Sequence, residues 1–307
     1  MNIKYKICAV VVTFNRKELL INCLNAINFQ TYKPHTILIV DNASTDGTIE
    51  QVKSHGYYNT VIDGVTFNYL LLPNNQGGAG GFYNGIKTAH ESSECFDGIW
   101  VMDDDGKPDI HCLQNLVKYL PEYDYLAPLV IAMEDSTRLA FNYHGSFSIK
   151  QLIETSDKLT PDYACPFNGI LYSRKLVDTI GYPIPQLFIW GDELNYTIRA
   201  KDAGFIPYTV TDAFHTHPSD RMKIAKSFMG KEVIEVPNKW KGYCHWRNTI
   251  FNSKGRWNIY EYLRYYFLIS YYLVIIKKQL SMFRVFNHAF FSGFKKIPDD
   301  GYRKYMK

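Results

Sequence analysis

Gly98-Ile99-Trp100-Val101-Met102-Asp103-Asp104-Asp105 reads as a short buried strand that runs without a break into three carboxylates. Working outward, the same rhythm of apolar run, polar cluster and helix recurs. Ile7 to Thr13 is a β-rich apolar run bounded by polar residues. Asn15 is expected to open the following helix, since Glu18 stands at capping-box spacing and Leu20, Leu24 and Ile27 fall on one face. Thr36 to Val40 is a second buried run, ending in Asp41-Asn42-Ala43-Ser44-Thr45-Asp46-Gly47-Thr48. A third, Tyr69 to Leu72, ends at Pro73 and the expected loop Asn74-Asn75-Gln76-Gly77-Gly78-Ala79-Gly80-Gly81, with a helix through about His90. Four such repeats predict an α/β fold, a Rossmann-like and mostly parallel sheet with helices on both faces. In such sheets ligands bind beyond the carboxyl ends of the strands, where all these polar clusters fall.

After Asp105 the rhythm loosens. Strands are expected at Tyr125–Ile131 and Asn168–Tyr172, and a helix from Asp192 to Ala203 with Gly204 as its C-cap. From Lys223 the composition turns basic and aromatic, which predicts a catalytic domain over residues 1–222 and a helical region over 223–307. The net charge of +4 hides this split. Residues 223–307 carry 17 Lys/Arg against 5 Asp/Glu, a balance of +12, whereas the first 222 carry 17 against 25, a balance of −8. A basic tail on an acidic body suits a polyanionic surface. No recognised nucleic-acid-binding motif accompanies the charge, so an anionic membrane is the expected partner. Tyr265 to Ile276 is an apolar, aromatic stretch of twelve residues, short of the ~20 that span a bilayer. Further aromatics (Phe283, Phe286, Phe290, Phe291, Phe294) alternate with basic residues, as in a helix lying among headgroups or in an oligomer contact. The six cysteines form no C-x-x-C pair, and the start, Met1-Asn2-Ile3-Lys4-Tyr5-Lys6, leads straight into a strand-like run. Reduced thiols and no leader peptide are therefore expected, hence a cytoplasmic location, peripheral on the inner face of the membrane.

Several clusters could carry chemistry. A strand end bearing carboxylates suits a hard divalent cation holding a phosphate, although a solvated acidic turn has the same composition. Strand alternation predicts that Asp103 and Asp105 act together while Asp104 points elsewhere. Trp190-Gly191-Asp192-Glu193 places carboxylates beside an aromatic at a helix start. There Asp192 can serve as a general base, or the pair can simply complement the helix dipole. His215 and His217 lie on one face of an extended segment, as metal ligands or as surface histidines. The glycine run carries neither a Walker A lysine nor the last glycine of a dinucleotide fingerprint, so ATPase and dinucleotide-oxidoreductase chemistry are disfavoured. Its glycines would admit a ligand close to the backbone. A sugar-phosphate nucleotidyltransferase would need a glycine-rich basic loop after the first strand, and Thr13-Phe14-Asn15-Arg16-Lys17-Glu18 has no glycine.

In chain order, Val11-Val12-Thr13-Phe14-Asn15-Arg16, the Asp41–Thr48 segment, the aspartate triplet and Trp190-Gly191-Asp192-Glu193 resemble the signature of GT-A-fold family 2 glycosyltransferases, over about residues 5–220. Asn74 to Phe82 followed by three aspartates most resembles the bacterial galactofuranosyltransferase branch. Related rhamnosyltransferases and other hexosyltransferases share the framework, and a non-catalytic glycan- or membrane-binding protein is the alternative from another class. The resemblance implies inverting transfer from UDP-galactofuranose to a glycan or lipid-linked glycan, with Mn²⁺ or Mg²⁺ as cofactor. It places Thr13, Asn15, Arg16, Asp41, Asn75, Gly77, Gly78, Asp103, Asp104 and Trp190 around the donor, with Asp41 on the uracil. Metal ligation would fall to Asp103, Asp105 and a downstream histidine, His215 before His217. Asp192 would be the base in preference to Glu193. Tyr243-Cys244-His245-Trp246-Arg247-Asn248 resembles a Tyr-Tyr-x-x-Arg-Asn segment of this branch, with Cys244 replacing the second tyrosine and Arg247 reaching donor phosphate or acceptor.

Overall fold

β1 (Ile7–Thr13) is buried at every position, and its side chains divide by parity between two cores. Ile7, Ala9 and Val11 join one, Cys8, Val10 and Val12 the other, so the strand lies inside a sheet covered on both faces. The computed structural model describes residues 4–141, 152, 158–162, 164, 167–219 and 223–306. In chain order, β1 is followed by α1 (Lys17–Asn28), β2 (Thr36–Asp41), α2 (Thr48–Ser54), β3 (Thr60–Ile62) and β4 (Val65–Leu71). Then come α3 (Gly77–His90), β5 (Gly98–Asp103), β6 (Lys107–Pro108), α4 (Cys112–Val117), β7 (Tyr125–Ala132), β8 (Leu159–Pro161), β9 (Asn168–Ser173), α5 (Arg174–Ile180), α6 (Asp192–Asp202) and β10 (Tyr208–His217).

Among the described residues these strands form one ten-stranded sheet, ordered β3-β4-β2-β1-β5-β9-β7-β10-β6, with β8 pairing β10. The run β4-β2-β1-β5 is parallel, as the strand-and-helix rhythm predicts. Beyond β5 the sheet becomes mixed, because β9 enters antiparallel to both β5 and β7, while β10 runs parallel to β7. α1 and α4 pack Leu20, Leu24, Ile27, Leu113 and Leu116 on one face, and α3, α5 and α6 pack Phe82, Ile86, Leu176 and Tyr196 on the other.

Two expectations need correction. Asn15 does not cap α1. Arg16 occupies the N-cap position without a side-chain cap bond, and the first helical N–H, that of Lys17, donates to Asp46 of the β2 loop at 3.2 Å. Asp46 also accepts from the Thr48 N–H, so one carboxylate serves the starts of two helices. The glycine run is not a loop to Gly81 either, since α3 begins at Gly77. A Cβ on Gly81 would stand 2.4 Å from Val12 Cγ1, and one on Gly85 would stand 2.4 Å from Val10 Cγ1. Gly81 and Gly85 let the helix lie directly on β1.

The backbone sorts into two compact units, residues 1–183 with 196–219 and residues 184–195 with 220–307. The predicted boundary after residue 222 falls at 220–222, outside the described residues, as does Cys165. Residues 184–195, counted in the sequence with the catalytic domain, group with the C-terminal part. That unit holds the hairpin β11 (Lys223–Lys226) and β12 (Glu232–Glu235), then α7 (Lys239–Ser253), α8 (Ile259–Tyr271) and α9 (Leu280–Ser292). Asn238 caps α7 and an Asn258–Glu261 capping box starts α8. Its core is aromatic, built on Tyr243, Trp246, Phe286, Phe290 and Tyr302. Of the tail aromatics, Phe286 and Phe290 are therefore core, whereas Phe291 and Phe294 are exposed. Among the described residues no helix is long and apolar enough to cross a membrane.

Gly81→Ala and Gly85→Ala are each expected to destabilise the protein by about 1–3 kcal/mol through overpacking against Val12 and Val10. Urea unfolding checks this. A gain in stability, as helix propensity alone predicts, would contradict the packing account.

Candidate active site

The strand β5 ends at Asp103, and the chain turns there. The two-residue alternation of a strand therefore stops one residue too early to pair Asp103 with Asp105. Instead Asp104 and Asp105 are both buried and converge on Arg16, whose Nη1 donates to Asp104 Oδ1 at 3.1 Å and Asp105 Oδ2 at 2.5 Å. Asp104 Oδ2 also accepts from the Thr13 hydroxyl at 2.7 Å. Burial drives the Asp104 carboxyl up to about 6, even though Arg16 and Thr13 favour its ionised form. Asp103, the last residue of β5, is partly buried.

The loops after β1 and β2 are tied to one another. Asn15 sits at φ 52, a left-handed conformation that asparagine tolerates. Its backbone N–H donates to Ser44 Oγ at 2.9 Å, and its Oδ1 accepts from the Thr45 N–H at 2.7 Å. Asp41 is buried; it accepts from the Ser44 N–H at 2.8 Å and from the Tyr69 hydroxyl. Asp41, expected on the uracil, also anchors its own loop. Asn42, which sequence reasoning passed over, spans to the start of α3: Nδ2 donates to the Gly77 carbonyl and Oδ1 accepts from the Gln76 N–H, both at 2.8 Å. Asn75 Oδ1 accepts from the N–H of Gly77, whose φ of 72 needs glycine, and Gly78 follows in the first turn. Asn42 and Asp46 were legible only as turn-formers.

The two histidines of β10 differ. His217 Nε2 lies 3.1 Å from Asp105 Oδ1. His215 is wedged between glycines: a Cβ on Gly106 would stand 2.0 Å from its Nε2, and one on Gly169 would stand 2.9 Å from its Nδ1. Burial and the neighbouring His217 push its pKa down to about 3, so the ring is neutral. Neither of its ring nitrogens has a hydrogen-bond partner among the described residues. Of the two histidines, His217 is the one whose ring nitrogen the structure sets against Asp105. Neighbouring ligands in a shell of ~2.1 Å radius stand about 3 Å apart, the spacing of Asp105 and His217. Among the described residues no cluster of three or more His, Cys, Asp or Glu is placed to hold a metal unaided. This donor set fits a cation that completes its shell with phosphate and water.

Trp190, Asp192 and Glu193 belong to the other compact unit. Asp192 is buried at the start of α6, and Glu193 Oε2 accepts from the Gly191 N–H at 3.0 Å, a helix-start role. Trp190 meets the His245 ring edge-on, with the Lys241 ammonium 5.9 Å from its centroid. Arg247, expected on donor phosphate or acceptor, turns its donors to protein carbonyls. It is fully buried, with Nη2 on the carbonyls of Gln186 and Leu187 at 3.0 and 2.9 Å, Nε on Asn248 at 2.9 Å, and Nη1 on the Asp299 carbonyl.

Arg16→Met is expected to cost about 1–3 kcal/mol at pH 7.5, less than a fully buried pair because the guanidinium is 43% exposed. Asp104 is ionised above about 6 and needs Arg16 there; below that pH it takes up its proton and the need lapses. Urea unfolding should show the gap between wild type and variant narrowing at pH 5, and a constant gap would contradict this.

Residues 8–181 match the family described as Glycosyl transferase family 2. The chain is 31% identical over 282 residues to galactofuranosyltransferase GlfT1 of Mycolicibacterium smegmatis, covering 86% of this chain and 90% of that protein. It is 31% identical over 239 residues to GlfT1 of Mycobacterium tuberculosis, covering 75% and 76%. Among solved structures it resembles GalNAc-T7 with UDP, GalNAc and Mn²⁺, with TM-score 0.59 at 13% identity, covering 100% of this chain and 59% of that one. It also resembles the mannosyltransferase PcManGT from Pyrobaculum calidifontis with GDP-Man and Mn²⁺, with TM-score 0.56 at 15% identity, covering 94% and 74%. At such identities these two structures speak for the fold, which is GT-A. The chain belongs to glycosyl transferase family 2 and is a glycosyltransferase.

Proposed function

We propose that the chain transfers galactofuranose from UDP-galactofuranose to a hydroxyl of a glycan or lipid-linked glycan in bacterial polysaccharide assembly, with inversion at the anomeric carbon. The observation that carries this reading is the similarity to galactofuranosyltransferases along most of both chains. Thr13, Asn15, Arg16 and the Asp41–Thr48 loop bind the nucleotide. Asp105 and His217 hold Mn²⁺ or Mg²⁺, with Asp103 beside them. When bound, the cation offsets the charge that develops on the leaving diphosphate. Arg16, already shared by two carboxylates, keeps the acidic turn compact. Asp192 takes the proton of the attacking hydroxyl, while Glu193 serves the helix start.

Donor hydrolysis and transfer with UDP-galactofuranose against dTDP-rhamnose tests the donor, and preference for the rhamnose nucleotide would overturn it. Asp192→Asn should lower kcat by about 10²- to 10⁴-fold and Glu193→Gln far less. The reverse order would overturn the assignment of the base.

The C-terminal unit also binds the cytoplasmic face of the bacterial membrane as a peripheral contact. Support comes from exposed Ile259, Leu263, Phe267, Leu280, Phe291 and Phe294 on α8, on α9 and just beyond it, with exposed Arg264, Lys278, Arg284 and Lys296 among them. This composition suits burial in headgroups with attraction to anionic lipid. Deleting the tail would strip Trp246 of Phe286, so the test uses the full chain with Phe267, Leu280 and Phe291 changed to Ser. Flotation with vesicles of anionic phospholipid should fall strongly in this variant, and unchanged flotation would contradict the membrane contact.

A further inference from the structure

Leu187-Phe188-Ile189-Trp190-Gly191-Asp192 is an unusual piece of backbone. Phe188 has φ 67, Trp190 has φ 61 and Gly191 has φ 102, so three of four consecutive residues are left-handed and two of them are bulky. A non-glycine residue held there is strained and persists only where its surroundings over-determine it. The surroundings here are side chains of α7. Asn248 Nδ2 lies 3.0 Å from the Leu187 carbonyl, 3.0 Å from that of Ile189 and 2.8 Å from that of Trp190. Arg247 holds the carbonyls of Gln186 and Leu187 and donates its Nε to Asn248 Oδ1, which fixes the orientation of that amide. One turn on, Asn252 Nδ2 donates to the Gly191 carbonyl at 2.7 Å, while its Oδ1 accepts from Asn195 of α6 at 3.0 Å. Neither Arg247 nor Asn248 has any exposed surface. A Cβ on Gly191 would stand 3.2 Å from both Asn248 and Asn252, so the loop lies tight against its clamp.

We propose that Arg247, Asn248 and Asn252 are positioning residues, which hold the strained Trp190-Gly191 turn so that Asp192 meets the acceptor hydroxyl in a single orientation. A buried guanidinium and two buried amides are costly to desolvate. A plain packing contact would be better served by apolar side chains, whereas hydrogen bonds to five successive or near-successive carbonyls specify backbone torsions. The proposal rests on Asp192 being the base. It adds how that carboxylate is aimed: the clamp does not touch the reacting atoms but acts through the loop. A misplacement of about 1 Å costs on the order of 10²-fold in rate.

A double-mutant cycle on the full chain tests this, using wild type, Asn248→Ala, Asp192→Asn and the double variant. Each is assayed for kcat and donor KM and for UDP binding as a check of folding. Asn252→Ala, which removes one bond to Gly191, is the milder companion should Asn248→Ala fail to fold. The expected result is a loss of about 10²-fold in kcat for Asn248→Ala and a smaller loss for Asn252→Ala, with donor KM and UDP affinity within about twofold of wild type. On the Asp192→Asn background the clamp variants should cost nothing further, because they act through that carboxylate. Normal kcat in both clamp variants, with Asp192→Asn inactive, would overturn the positioning role alone. So would losses that multiply on the Asp192→Asn background, as general destabilisation predicts. Normal transfer by Asp192→Asn would overturn the choice of base and the positioning claim with it.

Discussion

Two buried carboxylates at the end of β5 have to be compensated, and the unit that holds them is arranged to do so. Asp104 and Asp105 repel one another, and burial alone makes their ionised forms costly. The compensating groups come from three different places: Thr13 at the last residue of β1, Arg16 at the cap of α1, and His217 at the last residue of β10. None is next to the acidic turn in sequence, so the group assembles only when β1 and β5 pair in register and β10 takes its place in the sheet. A turn that needs positive charge from its surroundings is the place proposed above for the cation.

Around that centre, neighbouring loops are locked by short polar side chains. Asn15 bonds to the β2 loop, Asp46 returns to the start of α1, and Asn42 reaches the start of α3. The left-handed φ of Asn15 turns the chain out of β1 so that Arg16 can face Asp104 and Asp105. Helix α3 then lies directly on β1, because glycine at 81 and 85 leaves room for Val12 and Val10.

Much of this was legible in the sequence. Four apolar runs, each ending in a polar cluster, specify a sheet, and strands β1, β2 and β5 fall where that pattern puts them. Motif order was equally legible and carried the family. What the sequence hid has physical causes. The glycine run looks like a loop by composition, but a helix can absorb poor propensity where close packing repays it. Asp103 and Asp105 look paired by alternation, yet alternation holds only while the strand lasts. The antiparallel entry of β9 between β5 and β7 is a tertiary choice with no local mark. Arg247 looks like a ligand-binding cation, and only burial reveals that its donors go to loop carbonyls. His215 and His217 are indistinguishable as residues two apart on one strand; Gly106, Gly169 and Asp105 separate them.

The central claim is that Asp105 and His217 receive a divalent cation together with a uridine diphosphate, and isothermal titration of UDP into the full chain measures it most directly. With Mn²⁺ present, UDP should bind at least about tenfold more tightly than after chelation, a difference near 1.4 kcal/mol. Most of that gain should disappear in His217→Ala. Equal affinity with and without Mn²⁺, or no binding of UDP under either condition, would contradict the account.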